Sequence, residues 1–186
     1  PDSAGSLSGR LASLESTLIE AASRPDNESR LSAVINAANA VADKLATASD
    51  QVQVLREEAD AAIDTQVRTL NAGLLEVQNL NYKIKEATAR GQDTSTLLDQ
   101  RQKAIDGISS IIPLKQVERD GGMVALYTPN GAIVVDGKAA TFGYSKAGVI
   151  VPEMTLDSGS LSGLTLNGKE IRTDGERSAI AGGSLA

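Results

Sequence analysis

The sequence has no cysteine, no histidine and no tryptophan, and among 186 residues it has only one Phe and three Tyr. Without His and Cys, neither a Ser-His-Asp nor a Cys-His nucleophile can form, and zinc sites with these ligands are excluded. The chain can form no disulfide. Because aromatic side chains supply much of the buried area in compact enzymes, this core must be built from Leu, Ile, Val and Ala. Such a composition is typical of helical bundles and coiled coils.

Charge and hydropathy exclude further classes. The net charge is −6, from 24 acidic and 18 basic residues that are interspersed, which predicts no nucleic-acid partner. No apolar run approaches the roughly 20 residues that cross a bilayer, so we expect no membrane partner. The first residues lack a basic region followed by an apolar one, which predicts no cleavable signal peptide. Since the sequence also has no initiator Met, we expect an excised fragment.

The apolar periodicity predicts three helices, at about 7–22, 27–90 and 94–112, with Asp26 as the N-cap of the second. The second helix has no proline and would be about 90 Å long. Its apolar residues step by four and three as far as Leu55. Three successive steps of four then lead to Ala59, Ile63 and Val67, a stutter that locally unwinds a left-handed supercoil.

From Leu114 the pattern changes to short β-branched runs separated by Gly-Gly, Asn-Gly and Asp-Gly turns, which favour hairpins. The predicted strands are Leu114–Arg119, Met123–Thr128, Ala132–Val135, Ala139–Tyr144, Val149–Leu156, Leu164–Leu166 and Glu170–Thr173. The predicted fold class is therefore α+β. An antiparallel helical bundle with one very long helix, residues 1–113, precedes a small antiparallel β domain of hairpins, residues 114–173.

The helix lengths do not match. At 1.5 Å per residue, the first and third helices span about 24 and 28 Å, so together they flank little more than half of the second. Each Leu or Val left exposed forfeits roughly 1.5–3 kcal/mol of burial. We therefore predict a partner strip outside this chain, either a missing segment of the same protein or a neighbouring subunit. The candidate bundle and assembly seam is Leu45, Val52, Leu55, Ile63, Val67, Leu70, Leu74 and Val77.

Asn81 continues the same apolar stripe and has two interpretations. As a buried polar residue it could fix the register of packed helices. Alternatively, it marks the point where the stripe frays near the end of the helix.

Two patterns could indicate chemistry, and both have a simpler interpretation. Gly163–Lys169 matches G-x-x-x-x-G-K, but Glu170 stands where a P-loop needs Ser or Thr, so we expect a hairpin there. Glu57, Glu58, Asp60 and Asp64 cluster on the second helix, with Arg56–Asp60 and Asp64–Arg68 at i,i+4 spacing. We expect a solvated charged face. The sequence predicts no catalytic, cofactor-binding or metal-binding residue, and no small-molecule substrate.

Several segments resemble the flagellar hook-associated protein 1 (FlgK) family in order and spacing. They are Pro25–Arg30, the long-helix end from Leu80 into Gly91-Gln92-Asp93, the Leu97-Leu-Asp-Gln-Arg101 segment, Asp120–Gly131 and Ile180–Ala186. The resemblance covers nearly the whole chain. It implies a central fragment that lacks both terminal segments of the family, and residues 174–186 would then be a linker returning toward the helical domain.

The resemblance implies a structural, non-enzymatic subunit at the hook–filament junction of the bacterial flagellum, which adapts hook to filament by subunit packing. Its partners would be further copies of itself, the flagellar hook protein and the second hook–filament junction protein. It would be extracellular, and exported through the flagellar secretion apparatus without a cleaved signal peptide. The alternative is a coiled-coil tethering or signalling module without enzymatic activity, which the long stuttered helix alone would serve.

Overall fold

The computed structural model describes residues 5–173, 178–180 and 182–185. Its helices are α1 (Leu7–Ser23), α2 (Glu28–Ala89) and α3 (Ser95–Ser109). The structure therefore confirms the α+β class with one very long helix. The N-cap of α2 is Asn27 and not the predicted Asp26, since Asn27 Oδ1 accepts from Arg30 N–H at 3.2 Å. Much of the predicted linker 174–186 lies outside the described residues.

The chain forms two compact units, Pro1–Arg56 (unit 1) and Glu57–Ala186 (unit 2). This division lies inside α2 and differs from the predicted boundary between residues 113 and 114. Unit 1 is a hairpin of α1 and the first part of α2. Arg10 Nη1 donates to Ala40 O at 3.2 Å and Arg30 Nη1 donates to Glu20 O at 2.6 Å. These bonds tie the two helices of unit 1 together.

Unit 2 contains two small antiparallel sheets. The first has the order β1 (Lys115–Glu118), β2 (Val124–Tyr127), β3 (Ile133–Asp136), β4 (Lys138–Ala139), which is the predicted meander. The second has the order β5 (Phe142–Gly143), β6 (Thr165–Leu166), β7 (Lys169–Glu170). A short 3₁₀ turn, Asp120–Gly122, connects β1 to β2.

The segment Gly163–Lys169 forms the expected hairpin. Leu166 pairs with Lys169, and the two residues between them, Asn167 and Gly168, have φ of +52° and +78°. Positive φ at both central residues is the type I′ arrangement that Asn-Gly favours. Because a strand follows and no helix begins here, this segment is not a phosphate-binding loop.

Two strand predictions were wrong, and a third, Glu170–Thr173, overlaps the observed β7 (Lys169–Glu170) only at Glu170. Val149–Leu156 contains turns and loop instead of a strand, because Ile150 alone is buried and its neighbours face solvent. Ala139–Tyr144 contains the last residue of β4 and the whole of β5, which belong to different sheets. Neither Val149–Leu156 nor Ala139–Tyr144 therefore forms one continuous hydrogen-bonded strand, although both contain β-branched residues.

The second half of α2, α3 and both sheets share one core within unit 2. Its fully buried side chains include Leu70, Leu74, Ile112, Leu126 and Phe142. Helix α3 ends before the predicted residue 112 because Ile111 and Ile112 leave the helix and enter this core. Close packing of α3 on α2 requires Gly73, since a Cβ there would overlap Ile108. Over the described residues, none of the helices is apolar for long enough to cross a membrane.

Candidate assembly surface

The C-terminal part of the predicted seam lies in the core of unit 2. Val67, Leu70, Leu74 and Val77 are buried, and Ile63 is partly buried against the same cluster. These residues pack against α3 and the sheets of their own chain. They are therefore used within the molecule and are not available to a partner.

The N-terminal part of the seam is exposed in unit 1. Leu45, Val52 and Leu55 are 51%, 51% and 62% exposed. Among the described residues of unit 1, Ala21 is the only one that is buried. Further exposed apolar side chains of this unit are Leu7, Leu11, Leu18, Ile19, Leu31, Ile35 and Val54. Burying one such side chain fully is worth roughly 1.5–3 kcal/mol, so unit 1 leaves much of its apolar side-chain area in water.

Asn81 joins α2 to β2 and does not mark a frayed end. It is 4% exposed. Its Nδ2 donates to Val124 O at 2.8 Å, and its Oδ1 accepts from Val124 N–H at 3.1 Å. Arg101 Nη1 donates to the same Oδ1 at 2.9 Å. A side-chain amide thus occupies the place of a neighbouring strand and fixes the position of β2 on the helix.

Arg101, the last residue of the Leu-Leu-Asp-Gln-Arg segment, completes this clamp. Besides Asn81, its Nη1 donates to Gly122 O at 2.7 Å, in the 3₁₀ turn before β2. Burial lowers the pKa of Arg101, and nearby Glu118 partly opposes that shift. The guanidinium of Arg101 therefore links α3 to α2 and to the 3₁₀ turn that leads into β2.

Two more amides on α2 bind the sheets, and neither was predicted from the sequence. Asn71 makes the same pair of bonds with Phe142. Its Nδ2 donates to Phe142 O and its Oδ1 accepts from Phe142 N–H, both at 2.8 Å. Gln78 Oε1 accepts from Ala139 N–H at 2.6 Å. Positions 71, 78 and 81 share one helix face by their spacing, which is the signal that could have revealed them.

The predicted solvated face at Glu57–Asp64 was wrong for Asp60, which is 3% exposed. Its Oδ1 accepts from Tyr144 Oη at 2.6 Å, and its carboxylate also accepts from the N–H groups of Ala147 and Gly148 at 3.1–3.3 Å. One turn earlier, Glu57 Oε1 accepts from Ile150 N–H at 3.3 Å. The two acids therefore hold the loop that follows β5 against α2.

The hydrogen bonds decide the ionisation of Asp60. Burial by itself would raise its pKa, but the bonds from Tyr144, Ala147 and Gly148 and the nearby charge of Lys146 lower it below the ordinary 3.8. Burial and the bond to Asp60 raise the pKa of Tyr144. The aspartate is thus a fixed anionic acceptor at neutral pH.

Two pairs of charged residues at α2 have the expected i,i+4 spacing, although the Asp64 side chain is only 19% exposed. Arg68 pairs with Asp64, and Arg90 pairs with Glu86, both at i,i+4 spacing. Arg56 Nη1 donates to Gln53 Oε1 at 2.9 Å. Within the part of the chain that the structure describes, no three acidic side chains converge as metal ligands would.

Comparison with known proteins identifies relatives of one kind. The family profile described as "Flagellar hook-associated protein FlgK helical domain" matches residues 1–186. The chain is 27% identical over 183 residues to flagellar hook-associated protein 1 of Salmonella typhimurium, covering 88% of this chain and 33% of that protein. It is 27% identical over 130 residues to the Bacillus subtilis protein of the same name, covering 70% and 26%.

A solved structure has the same fold. The flagellar hook junction protein FlgK from Burkholderia pseudomallei superposes with a TM-score of 0.74 at 18% identity, covering 96% of this chain and 31% of that one. The chain therefore spans about a third of the length of the relatives that it matches.

Proposed function

The chain belongs to the flagellar hook-associated protein FlgK family, as the match over residues 1–186 shows, and from this premise we propose a structural function at the hook–filament junction. In this proposal it is part of a subunit that adapts hook to filament by packing against other subunits. The helical residues 1–113 carry the packing surface, and residues 114–173 brace α2.

The observation that carries the proposal is the exposed N-terminal part of the seam. Leu45, Val52 and Leu55 lie on α2 and are each more than half exposed. A subunit whose remaining two thirds lie elsewhere, as in the relatives, has further segments that can cover them. We infer that these three residues are buried in the assembled protein, either by such a segment or by a neighbouring copy.

The proposed partners are further copies, the flagellar hook protein and the second junction protein. The proposed location is outside the cell, on the flagellum, reached through the flagellar secretion apparatus without a cleaved signal peptide. The support for these statements is the family, whose members compared above are hook-associated and hook junction proteins.

We propose that the subunit has no enzymatic activity. The sequence offers no His or Cys. Asp60 is the one buried acidic residue in the part of the chain that the structure describes. It already accepts from three donors within unit 2, namely the Tyr144 hydroxyl and the N–H groups of Ala147 and Gly148. A carboxylate that is held in this way supports structure and is not positioned to transfer a proton to a substrate.

The test is to label the full-length protein in its own bacterium and locate it by electron microscopy. We expect label in one band between hook and filament, and hooks without filaments when the gene is deleted. Full-length protein with the three exposed seam residues of unit 1 replaced by Asp should fail to restore filaments. The matched control replaces Asn36, Asn39 and Thr47, which are exposed on the opposite side of α2 from Leu45, by Asp, and it should restore them. Label along the whole filament, or none on flagella, would contradict the proposal.

A further inference from the structure

A short loop in unit 2 presents apolar side chains to solvent from a rigid base. The valine loop, residues 149–153, has Ile150 buried, while Val149 is 72% and Val151 is 45% exposed. Its base is held by Asp60 through the N–H groups of Ala147 and Gly148, and by Glu57 through that of Ile150. Because the loop is already fixed, binding through Val149 would cost little conformational entropy.

The same unit has an open groove whose lining is partly apolar and partly charged or polar. The leucine groove has a volume of about 360 Å³ and lies between α2 and the start of α3. Leu75, which is 52% exposed, and Leu80 form its apolar floor. It is also lined by Ala72, Glu76, Asn79, Lys83 and Gln100. The groove is open enough to accept a small branched side chain.

Opposite charges flank both surfaces. The valine loop is preceded by Lys146 and ends at Glu153, and both are exposed. The leucine groove is lined by Glu76 and, about 10 Å further along α2 and two helical turns away, by Lys83. Docking with Lys146 near Glu76 and Glu153 near Lys83 brings unlike charges together, whereas the reversed direction brings like charges together. Charge therefore selects one direction of docking.

We propose that the valine loop of one copy docks into the leucine groove of a second copy. The two surfaces differ, so the contact is head-to-tail, and repeated contacts of this kind produce a closed ring or a helical array. The inference rests on the proposed function, in which copies pack against one another. A contact of one loop in one groove is small, so in dilute solution it is transient.

The absence of cysteine makes a clean crosslinking test possible. Full chains carrying Val149→Cys are mixed with differently tagged chains carrying Leu75→Cys, and tagged heterodimers are counted after mild oxidation. In the control, the first chain carries Ile133→Cys and keeps Val149. Ile133 is an apolar residue of unit 2 that is 53% exposed. We expect heterodimers to form about tenfold faster than in the control, because docking raises the local thiol concentration. Equal rates would overturn the proposal.

A charge exchange then tests the direction of docking. Glu153→Lys in the Val149→Cys chain should reduce the crosslinking rate to that of the control, and Lys83→Glu in the Leu75→Cys chain should restore it. The proposal would be overturned if Glu153→Lys left the crosslinking rate unchanged. It would also be overturned if Lys83→Glu did not restore a rate that Glu153→Lys had lowered. Either failure would leave the band between hook and filament unaffected, so it is distinguishable from failure of the proposed function.

Discussion

The two units of the chain use one helix in opposite ways. In unit 2, α2 buries Val67, Leu70, Leu74 and Val77 and binds both sheets through amide side chains. In unit 1, the same helix leaves Leu45, Val52 and Leu55 more than half exposed. The difference shows that an apolar stripe continues along the helix independently of whether this chain supplies its cover. Sequence periodicity reports where burial is required, and only the structure shows where it is achieved.

The largest expected contrast is between two leucines of the seam. Leu74→Ala should destabilise unit 2 by about 2–5 kcal/mol, because Leu74 is fully buried and its loss leaves a cavity. Leu45→Ala, in unit 1, should change stability by less than about 0.5 kcal/mol. Urea unfolding followed by tyrosine fluorescence measures unit 2 alone, since Tyr82, Tyr127 and Tyr144 all lie there. If unfolding followed by circular dichroism gave the same loss of stability for both variants, the two leucines would be packed alike.

Two asparagines of α2 should respond with opposite sign. Asn81→Ala should cost about 3 kcal/mol, since the buried Val124 N–H and carbonyl and Arg101 each lose a partner. Asn36→Ala, at an exposed position of unit 1, should stabilise the helix by about 0.5 kcal/mol through helix propensity. Thermal unfolding of both variants tests the contrast. An unchanged unfolding temperature for Asn81→Ala would show that these hydrogen bonds do not stabilise unit 2.

Asp60 should make the stability of unit 2 depend on pH. Its pKa is lower in the folded chain than the ordinary 3.8, so the folded state binds fewer protons than the unfolded state. Its contribution is therefore complete above pH 3.8 and is lost as the pH falls through the lower folded pKa. Asp60→Asn should cost about 1–3 kcal/mol at pH 7, because Ala147 and Gly148 lose an anionic acceptor.

The measurement for Asp60 is the urea unfolding free energy of wild type and variant between pH 2 and pH 7. The difference between the two proteins should shrink at the acid end of this range. A constant difference would mean that the carboxylate acts through its shape and not its charge. Glu58→Gln, an exposed neighbour on α2, is the matched control and should show little change.

Two helical glycines should also respond with opposite sign. Gly73→Ala should destabilise by about 1–3 kcal/mol, because the added Cβ overlaps Ile108 where α3 packs on α2. Gly107→Ala, which meets no neighbouring atom, should stabilise α3 by about 0.5–1 kcal/mol. Thermal midpoints decide between them, and a tolerated Gly73→Ala would show that the two helices can separate without loss.

The helices and hairpin turns could be predicted from the sequence because their signals are local. Gly91 ends α2, and Asn167-Gly168 has the backbone that its turn requires. The buried role of Asp60 could not be predicted, since its partners lie more than 80 residues away and Arg56 offered a plausible surface partner at i−4. The strand prediction for Val149–Leu156 was wrong because β-branched residues around one buried residue, Ile150, have the composition of a strand. Asn71 and Gln78 gave no apolar signal and were missed for that reason.

The amides of α2 also protect the chain from unwanted association. An edge strand with free N–H and carbonyl groups is a template on which strands of other molecules can pair. Asn71 occupies both groups of Phe142 on β5, and Gln78 occupies the N–H of Ala139 on β4. Both strands lie at an edge of their sheets. A single helix thereby covers backbone groups on two sheet edges, so that many copies can lie close together without pairing through these groups of β4 and β5.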